Sequence, residues 1–148
     1  MPQSYVKIFV HITTHTKYNY PYLYEGIHEE LFRYIGGTLK KLGSEPVQIG
    51  GVEDHIHVLC TLPRTISIAK LVEEFKRSSS SWLKTKSDRL INFHWQDGYG
   101  AFSVSSSKVK VVKNYILNQK EHHKKLSFWE EYKIFLKEYN IPYDEKYL

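Results

Sequence analysis

The chain has 148 residues, room for one hydrophobic core and too few for two ordinary domains, so positions 1–148 are read as a single domain. A formal charge of +5, a pI near 9.1 and 12 Tyr suit a partner with phosphates and unstacked bases, although many basic proteins bind no nucleic acid. The lone Cys60 excludes an intramolecular disulfide and a Cys-rich zinc site, and the lack of a secretory pattern or long apolar run predicts a cytoplasmic protein without a membrane partner.

Tyr5 to Thr13 alternates, with Val6, Ile8, Val10 and Ile12 on one face and Tyr5, Lys7, Phe9 and His11 on the other, which predicts a first strand. Thr14 to Tyr22 follows as a polar, aromatic loop, in which Lys17 and Tyr18 are candidate ligand contacts and a merely solvated connection is an equal reading. From Tyr24 to Leu42, Ile27, Leu31, Ile35 and Leu39 recur at helical spacing, and Gly43 supplies a stop. Glu45 to Gly51 reads as a second strand; Gly50 and Gly51 suit a tight turn into a third strand that starts at His55 and ends before Pro63. Ser67 caps a second helix with Ile68, Leu71, Val72, Phe75 and Trp82 on its apolar side. Its other side is basic and hydroxyl-rich; Lys76 and Arg77 are candidate phosphate contacts there, and a merely solvated face is an equal reading.

Asp97-Gly98 is a turn, and Tyr99 to Ser105 a fourth strand. Ser106 or Ser107 caps a third helix that begins at Lys108 and buries Val109, Val112 and Ile116. Ser127 caps a last helix, Phe128 to Tyr139. The order β-α-β-β-α-β followed by helices predicts an α+β fold: a ferredoxin-like, split β-α-β, two-layer sandwich with a central antiparallel sheet, helices on one face, and C-terminal helices that carry a tyrosine.

The chemistry starts at Gly51-Val52-Glu53-Asp54-His55-Ile56-His57-Val58. Side chains alternate along a strand, so His55 and His57 leave the same face, within reach of one metal ion or one phosphate. Asp54 precedes them and is placed to orient an imidazole from behind. Alone, the pattern is also that of a sheet with a wet face. The third helix adds Tyr115-Ile116-Leu117-Asn118-Gln119. Tyr115 and Gln119 are four apart and share a helical face, with Asn118 close by as a further outer candidate. Two neutral imidazoles and an amide oxygen make a three-ligand set that leaves open positions for water and a phosphate oxygen, which suits Mg²⁺ or Mn²⁺. A phenol with an ordinary pKa near 10 is a poor nucleophile until its target is polarised, and an ion on the phosphate does that. Attack by Tyr115 then gives a 5′-phosphotyrosine and a free 3′-OH, with the bond energy retained for rejoining.

These segments resemble a known family. His55-Ile56-His57 is the His-hydrophobic-His motif of the HUH endonucleases, and Tyr115 with Gln119 looks like the single catalytic tyrosine and third metal ligand of their smallest members, the single-strand transposases of the insertion sequence 200 / 605 group. The resemblance extends to Thr16-Lys17, Phe75-Lys76, the run Trp95-Gln96-Asp97-Gly98-Tyr99-Gly100-Ala101-Phe102-Ser103, and Lys120-Glu121-His122-His123. It implies a homodimer that cuts and rejoins single-stranded DNA at element ends guided by hairpins, in which the tyrosine of one subunit can complete the His-His site of the other. His15 stands where many relatives are apolar or aromatic, and His122 and His123 fit either the site or an exposed basic turn. A repeat-palindrome-processing relative, or a replication or conjugation nickase, would share the chemistry. A non-catalytic nucleic-acid-binding domain would have no need of His55, His57, Tyr115 and Gln119 together.

Overall fold

The computed structural model describes residues 3–147. In chain order its elements are β1 (Phe9–His15), α1 (Glu25–Lys41), β2 (Pro46–Gly51), β3 (His55–Thr61), α2 (Ile68–Lys84), β4 (Gly100–Val104), α3 (Val109–Leu117), α4 (Gln119–His122) and α5 (Phe128–Glu138), with short 3-10 turns between some of them. The strands form one antiparallel sheet in the order β2-β3-β1-β4, which puts β1 and β3 at its centre. This is the ferredoxin-like order that the β-α-β-β-α-β pattern predicts.

Period-2 alternation sorts the strand residues onto two faces. Val10, Ile12, Ile56, Val58 and Cys60 point to one side, where Ile27, Leu31, Ile35 and Leu39 of α1 and Leu71, Val72, Phe75 and Leu83 of α2 close the main core. Ser67 caps α2 by accepting from the Lys70 N–H at 3.1 Å. Ser79, within the serine run of α2, is fully buried and accepts from the Trp95 indole N–H at 3.0 Å. His11, Thr13, His15, His55 and His57 point to the opposite side, and these polar residues are all buried too.

They are buried because helices cover both faces of the sheet, not one. Residues of α3 and α5 pack on the second face: Ile116 against Leu59, Phe128 against His15 and His55, and Phe135 against Phe102. The apolar residues of α3 and α5 need a surface, and the site face of the sheet is the one left open by α1 and α2.

Two local boundaries differ from the sequence expectation. The first strand runs Phe9–His15, not Tyr5 to Thr13. Pairing starts at Phe9 opposite Thr61 and Val104 and ends at His15 opposite His55, so alternation alone continued past the partners available. Val6 and Ile8 are accordingly about half exposed at 47% each. Gly50 and Gly51 lie inside β2, and the chain reverses over the three residues that follow. Their need for no side chain comes from close approach: a Cβ at Gly50 would sit 2.8 Å from the Ile116 carbonyl oxygen, and one at Gly51 would run into that of His55.

Candidate active site

The site is built on the two central strands. His57 faces Thr13 and His55 faces His15 across β1 and β3. His11, one step further along the same face, meets His57 nitrogen to nitrogen: His11 Nε2 lies 2.7 Å from His57 Nδ1. The Nδ1–H of His55 donates to Asp54 Oδ1 at 2.7 Å, and Asp54 is held in turn by the Asn19 amide, which donates to Oδ2 at 3.2 Å. Both imidazoles of the His-x-His strand are therefore fixed at Nδ1 and present Nε2 to the helices above.

Three helical segments supply the rest. Gly50 lets α3 lie directly on β2, and the residue before Ile116 is Tyr115, half-buried with its ring centroid 5.9 Å from that of His57. The His122 ring stacks on the Tyr115 ring at 4.5 Å. Gln119 is not on the same helix as Tyr115: α3 ends at Leu117, and Asn118 breaks the run with φ −100° and ψ 23° before α4 begins. Gln119 still enters the site, buried, with Oε1 3.2 Å from His55 Nε2. Asn118 is exposed at the junction, its backbone N–H bonded to the Asn114 and Tyr115 carbonyls.

The centre of the cluster is a residue that sequence reasoning missed, Glu131 of α5. Its Oε1 is 2.8 Å from His57 Nε2 and 3.5 Å from His55 Nε2. Its Oε2 accepts from the Tyr115 hydroxyl, from Gln119 Nε2 at 3.3 Å and from His123 Nε2 at 3.1 Å. The ligand atoms of His55, His57, His123 and Glu131 lie within 4.8 Å of one another, a spacing that one divalent ion can bridge. The signal for Glu131 was its phase. Glu130 reads as the N3 partner of the Ser127 cap, and the structure has that capping box. Glu131, by contrast, is three residues after Phe128 and four before Phe135, on the stripe that must be buried.

Burial and charge set the protonation of the metal-free cluster. Burial alone would raise the Glu131 carboxyl, but hydrogen bonds from His123, His55 and His57 outweigh it and hold the group far below the usual carboxylate range. Burial would likewise lower His55, and the hydrogen bonds to Asp54 and Glu131 reverse this and raise it to about 9. For His57 burial wins and its pKa falls. Burial, followed by the charge of neighbouring His57, lowers His11 to about 3; burial, followed by His55, lowers His15 to about 4. Burial and the hydrogen-bonded Glu131 carboxylate raise the Tyr115 phenol well above its ordinary value. His15 sits under α5 with its ring 4.6 Å from Phe128 and 5.1 Å from Trp129.

The candidate DNA contacts lie apart from the buried cluster. Lys17 and Tyr18 are exposed, and Tyr18 and Asn19 adopt left-handed backbone angles, φ 58° and 54°. The loop is tied to the site by Thr16, whose N–H donates to the Asp54 carbonyl at 2.8 Å. Lys76 clamps the turn before β4, donating to the Gln96 and Gly98 carbonyls at 2.7 and 2.9 Å. Arg77 is exposed and pairs with Glu74 at 2.7 Å.

The chain matches the family model described as IS200-like transposase over residues 4–119. Among solved structures it is similar to a candidate transposase from Deinococcus radiodurans R1, with 22% identity and a TM-score of 0.62 over 80% of this chain and 96% of that one. It is also similar to a REP-associated tyrosine transposase bound to a REP hairpin, with 16% identity and a TM-score of 0.62 over 85% of this chain and 74% of that one. At these identities the likeness is one of fold. No curated protein matches.

Proposed function

The chain belongs to the IS200-like transposase family, and on that premise we propose that it cuts and rejoins single-stranded DNA through a 5′-phosphotyrosine on Tyr115. Family membership makes it a DNA-processing enzyme; the nucleophile, the strand specificity and the metal are the proposal. One observation carries it. The Tyr115 hydroxyl, the Nε2 atoms of His55 and His57 and the Gln119 amide all converge on a single buried carboxylate, within one chain.

In this reading Mg²⁺ or Mn²⁺ is held by His55, His57 and Gln119, and when bound it polarises the scissile phosphate and screens the charge that develops there. Asp54 and His11 fix the imidazoles from behind, and His122 holds the Tyr115 ring by stacking. The phenol gives up its proton, its oxygen bonds to phosphorus, and the 3′ oxygen departs and takes up a proton. The raised phenol pKa means that Tyr115 is not a ready nucleophile by itself, consistent with a need for a polarised target. In this reading the whole chain acts as one domain; Tyr115 meets His57 within one chain, and a homodimer in which the tyrosine of one subunit completes the His-His site of the other is the alternative arrangement. A homodimer would pair its sheets edge to edge through β2 or β4, with solution mass as the check of the dimer. A structural neighbour is bound to a REP hairpin, and we extend a folded DNA hairpin to this chain as the recognised feature, with Lys17, Tyr18, Lys76 and Arg77 as candidate contacts.

The test is covalent trapping. The protein is incubated with labelled single strands from its own genomic flanks and Mn²⁺ or Mg²⁺, then run on a denaturing gel. A metal-dependent adduct that disappears in Tyr115→Phe, with DNA binding retained, is the expected result. Cleavage that survives in Tyr115→Phe removes Tyr115 from the role of nucleophile.

A further inference from the structure

Three imidazoles aim Nε2 at Glu131, and each is held at Nδ1 by a different partner. His55 Nδ1 has Asp54 at 2.7 Å, His57 Nδ1 has His11 at 2.7 Å, and His123 Nδ1–H donates to the Leu126 carbonyl at 2.6 Å. This is how proteins set imidazoles that ligate a metal: the outer bond fixes the ring and its tautomer and leaves the inner nitrogen for the ion. Glu131 is arranged in the same way. Its two oxygens divide the imidazoles, Oε1 facing His57 and His55 and Oε2 facing His123 at 3.1 Å, and the Gln119 amide holds Oε2 from outside at 3.3 Å. A carboxylate 2% exposed among three imidazoles, two of them fully buried, needs a positive charge beside it, which a protonated imidazole supplies in the metal-free cluster and a divalent ion would supply in its place. Such a cluster has a simpler physical rationale as a set of donors around a cation.

We propose that His123 and Glu131 are metal ligands of this chain, so that the resting protein holds a divalent transition ion in a closed set of His55, His57, His123 and Glu131. This rests on the reading of His55 and His57 as metal ligands and extends it to two residues that lie outside the family-matched span of 4–119. The chemistry of the set selects the ion. Three neutral nitrogens and one carboxylate suit Zn²⁺, Co²⁺ or Mn²⁺, whereas Mg²⁺ prefers oxygen ligands and keeps its waters. Gln119 then acts in the resting state as a positioning residue, holding the Glu131 carboxylate by its amide. The closed set also has a consequence for DNA. Four protein donors would fill a tetrahedral ion, so a phosphate oxygen would enter only if one donor yielded or the set expanded, and Glu131 is the candidate to yield. The same carboxylate holds the Tyr115 hydroxyl, and its departure frees nucleophile and ion together.

The experiment is a Co²⁺ titration of the full chain, followed by visible absorption and by competition with Zn²⁺ and Mg²⁺. The wild type is expected to show the strong absorption of four-coordinate Co²⁺, displaced by Zn²⁺ far more readily than by Mg²⁺. Glu131→Gln keeps the shape and removes the charge, and His123→Ala removes a nitrogen from a half-buried turn. Each is expected to weaken Co²⁺ binding by at least about tenfold and to lose that absorption, with the thermal unfolding profile confirming that the variant is folded. The two variants are independent, so failure of one to fold leaves the other as the test. Wild-type affinity and spectrum in both variants, with binding lost in His57→Ala, would overturn the role of His123 and Glu131 and leave the His-x-His site intact. No Co²⁺, Zn²⁺ or Mn²⁺ binding by the wild type would overturn both.

Discussion

His11 is a buried base with two duties: it supports His57 from behind, and it lowers the stability of the metal-free fold in acid. Its folded pKa of about 3 lies below the ordinary value of 6.5, because burial and then the neighbouring His57 oppose its protonation. The unfolded chain therefore binds a proton at His11 before the folded one does. The stabilising contribution is fully present above pH 6.5, falls as the pH drops below that value, and is gone below about 3. His15, lowered to about 4, acts in the same direction. His55 acts in the opposite direction: raised to about 9, it contributes fully below 6.5 and loses that contribution as the pH rises through 9. The metal-free protein should thus lose on the order of a few kcal/mol between pH 6.5 and 4 from His11 and His15. Urea denaturation at stepped pH in a chelator measures it. His11→Gln, which cannot titrate, should flatten the acid limb; an unchanged slope would show that His11 is not a group whose protonation is blocked by folding.

At the scale of elements, the position of α3 decides whether Tyr115 reaches the imidazoles, and Gly50 decides the position of α3. A Cβ there would meet the Ile116 oxygen at 2.8 Å and the Ile116 Cγ2 at 2.9 Å, so either the helix or the β2 edge must move. Gly50→Ala should destabilise by about 1–3 kcal/mol, as overpacking does, and reduce Tyr115 adduct formation while hairpin binding persists. Gly37 is the contrasting case. It lies exposed inside α1, and an added methyl group would meet no other atom within 4 Å, so Gly37→Ala should stabilise by up to about 1 kcal/mol. Denaturant midpoints of the two variants separate a glycine demanded by packing from one that is not. The same scale explains what could be read in the sequence. His55 and His57 were legible because a strand has period 2, and Tyr115 because the third helix has a clear apolar side. Gln119 was placed correctly in space on the wrong helix, since the break at Asn118 has no proline or glycine to mark it. The burial of Glu131 could be read from its phase, but the covering of the second sheet face and the side chains that Glu131 meets there were not legible. Both depend on where a short helix beyond the β-α-β-β-α-β core folds back, and local pattern does not encode that direction.

Over the whole molecule, the excess of 21 basic over 16 acidic side chains is unevenly used. Much of the acidic charge is already engaged at the surface: Glu45 with Lys7, Glu29 with Arg33, Glu74 with Lys70 and Arg77, Glu30 with Lys86 and Glu145 with Lys133. Exposed pairs of this kind add little stability, but they cancel local field. The helix that carries Tyr115 is different. From Val109 to Leu117 it has Lys110 and Lys113 and no carboxylate, Lys108 precedes it, and all three lysines are exposed with no ion pair among the described residues. On an α-helix Lys110 and Lys113 stand roughly 140–160° round from Tyr115, so they act on a phosphate backbone through the field of the helix and not beside the phenol. Single-strand affinity should therefore fall steeply with salt, and Lys110→Ala with Lys113→Ala should weaken binding and flatten the dependence of log affinity on log salt by roughly 0.7 per lysine. Fluorescence anisotropy of a labelled single strand across a KCl series measures the slope. A double variant with the wild-type slope would mean that the strand reaches the tyrosine by another path, and the loop of Lys17 and Tyr18, tied through Thr16 to the carbonyl of Asp54, would then be the surface to reverse next.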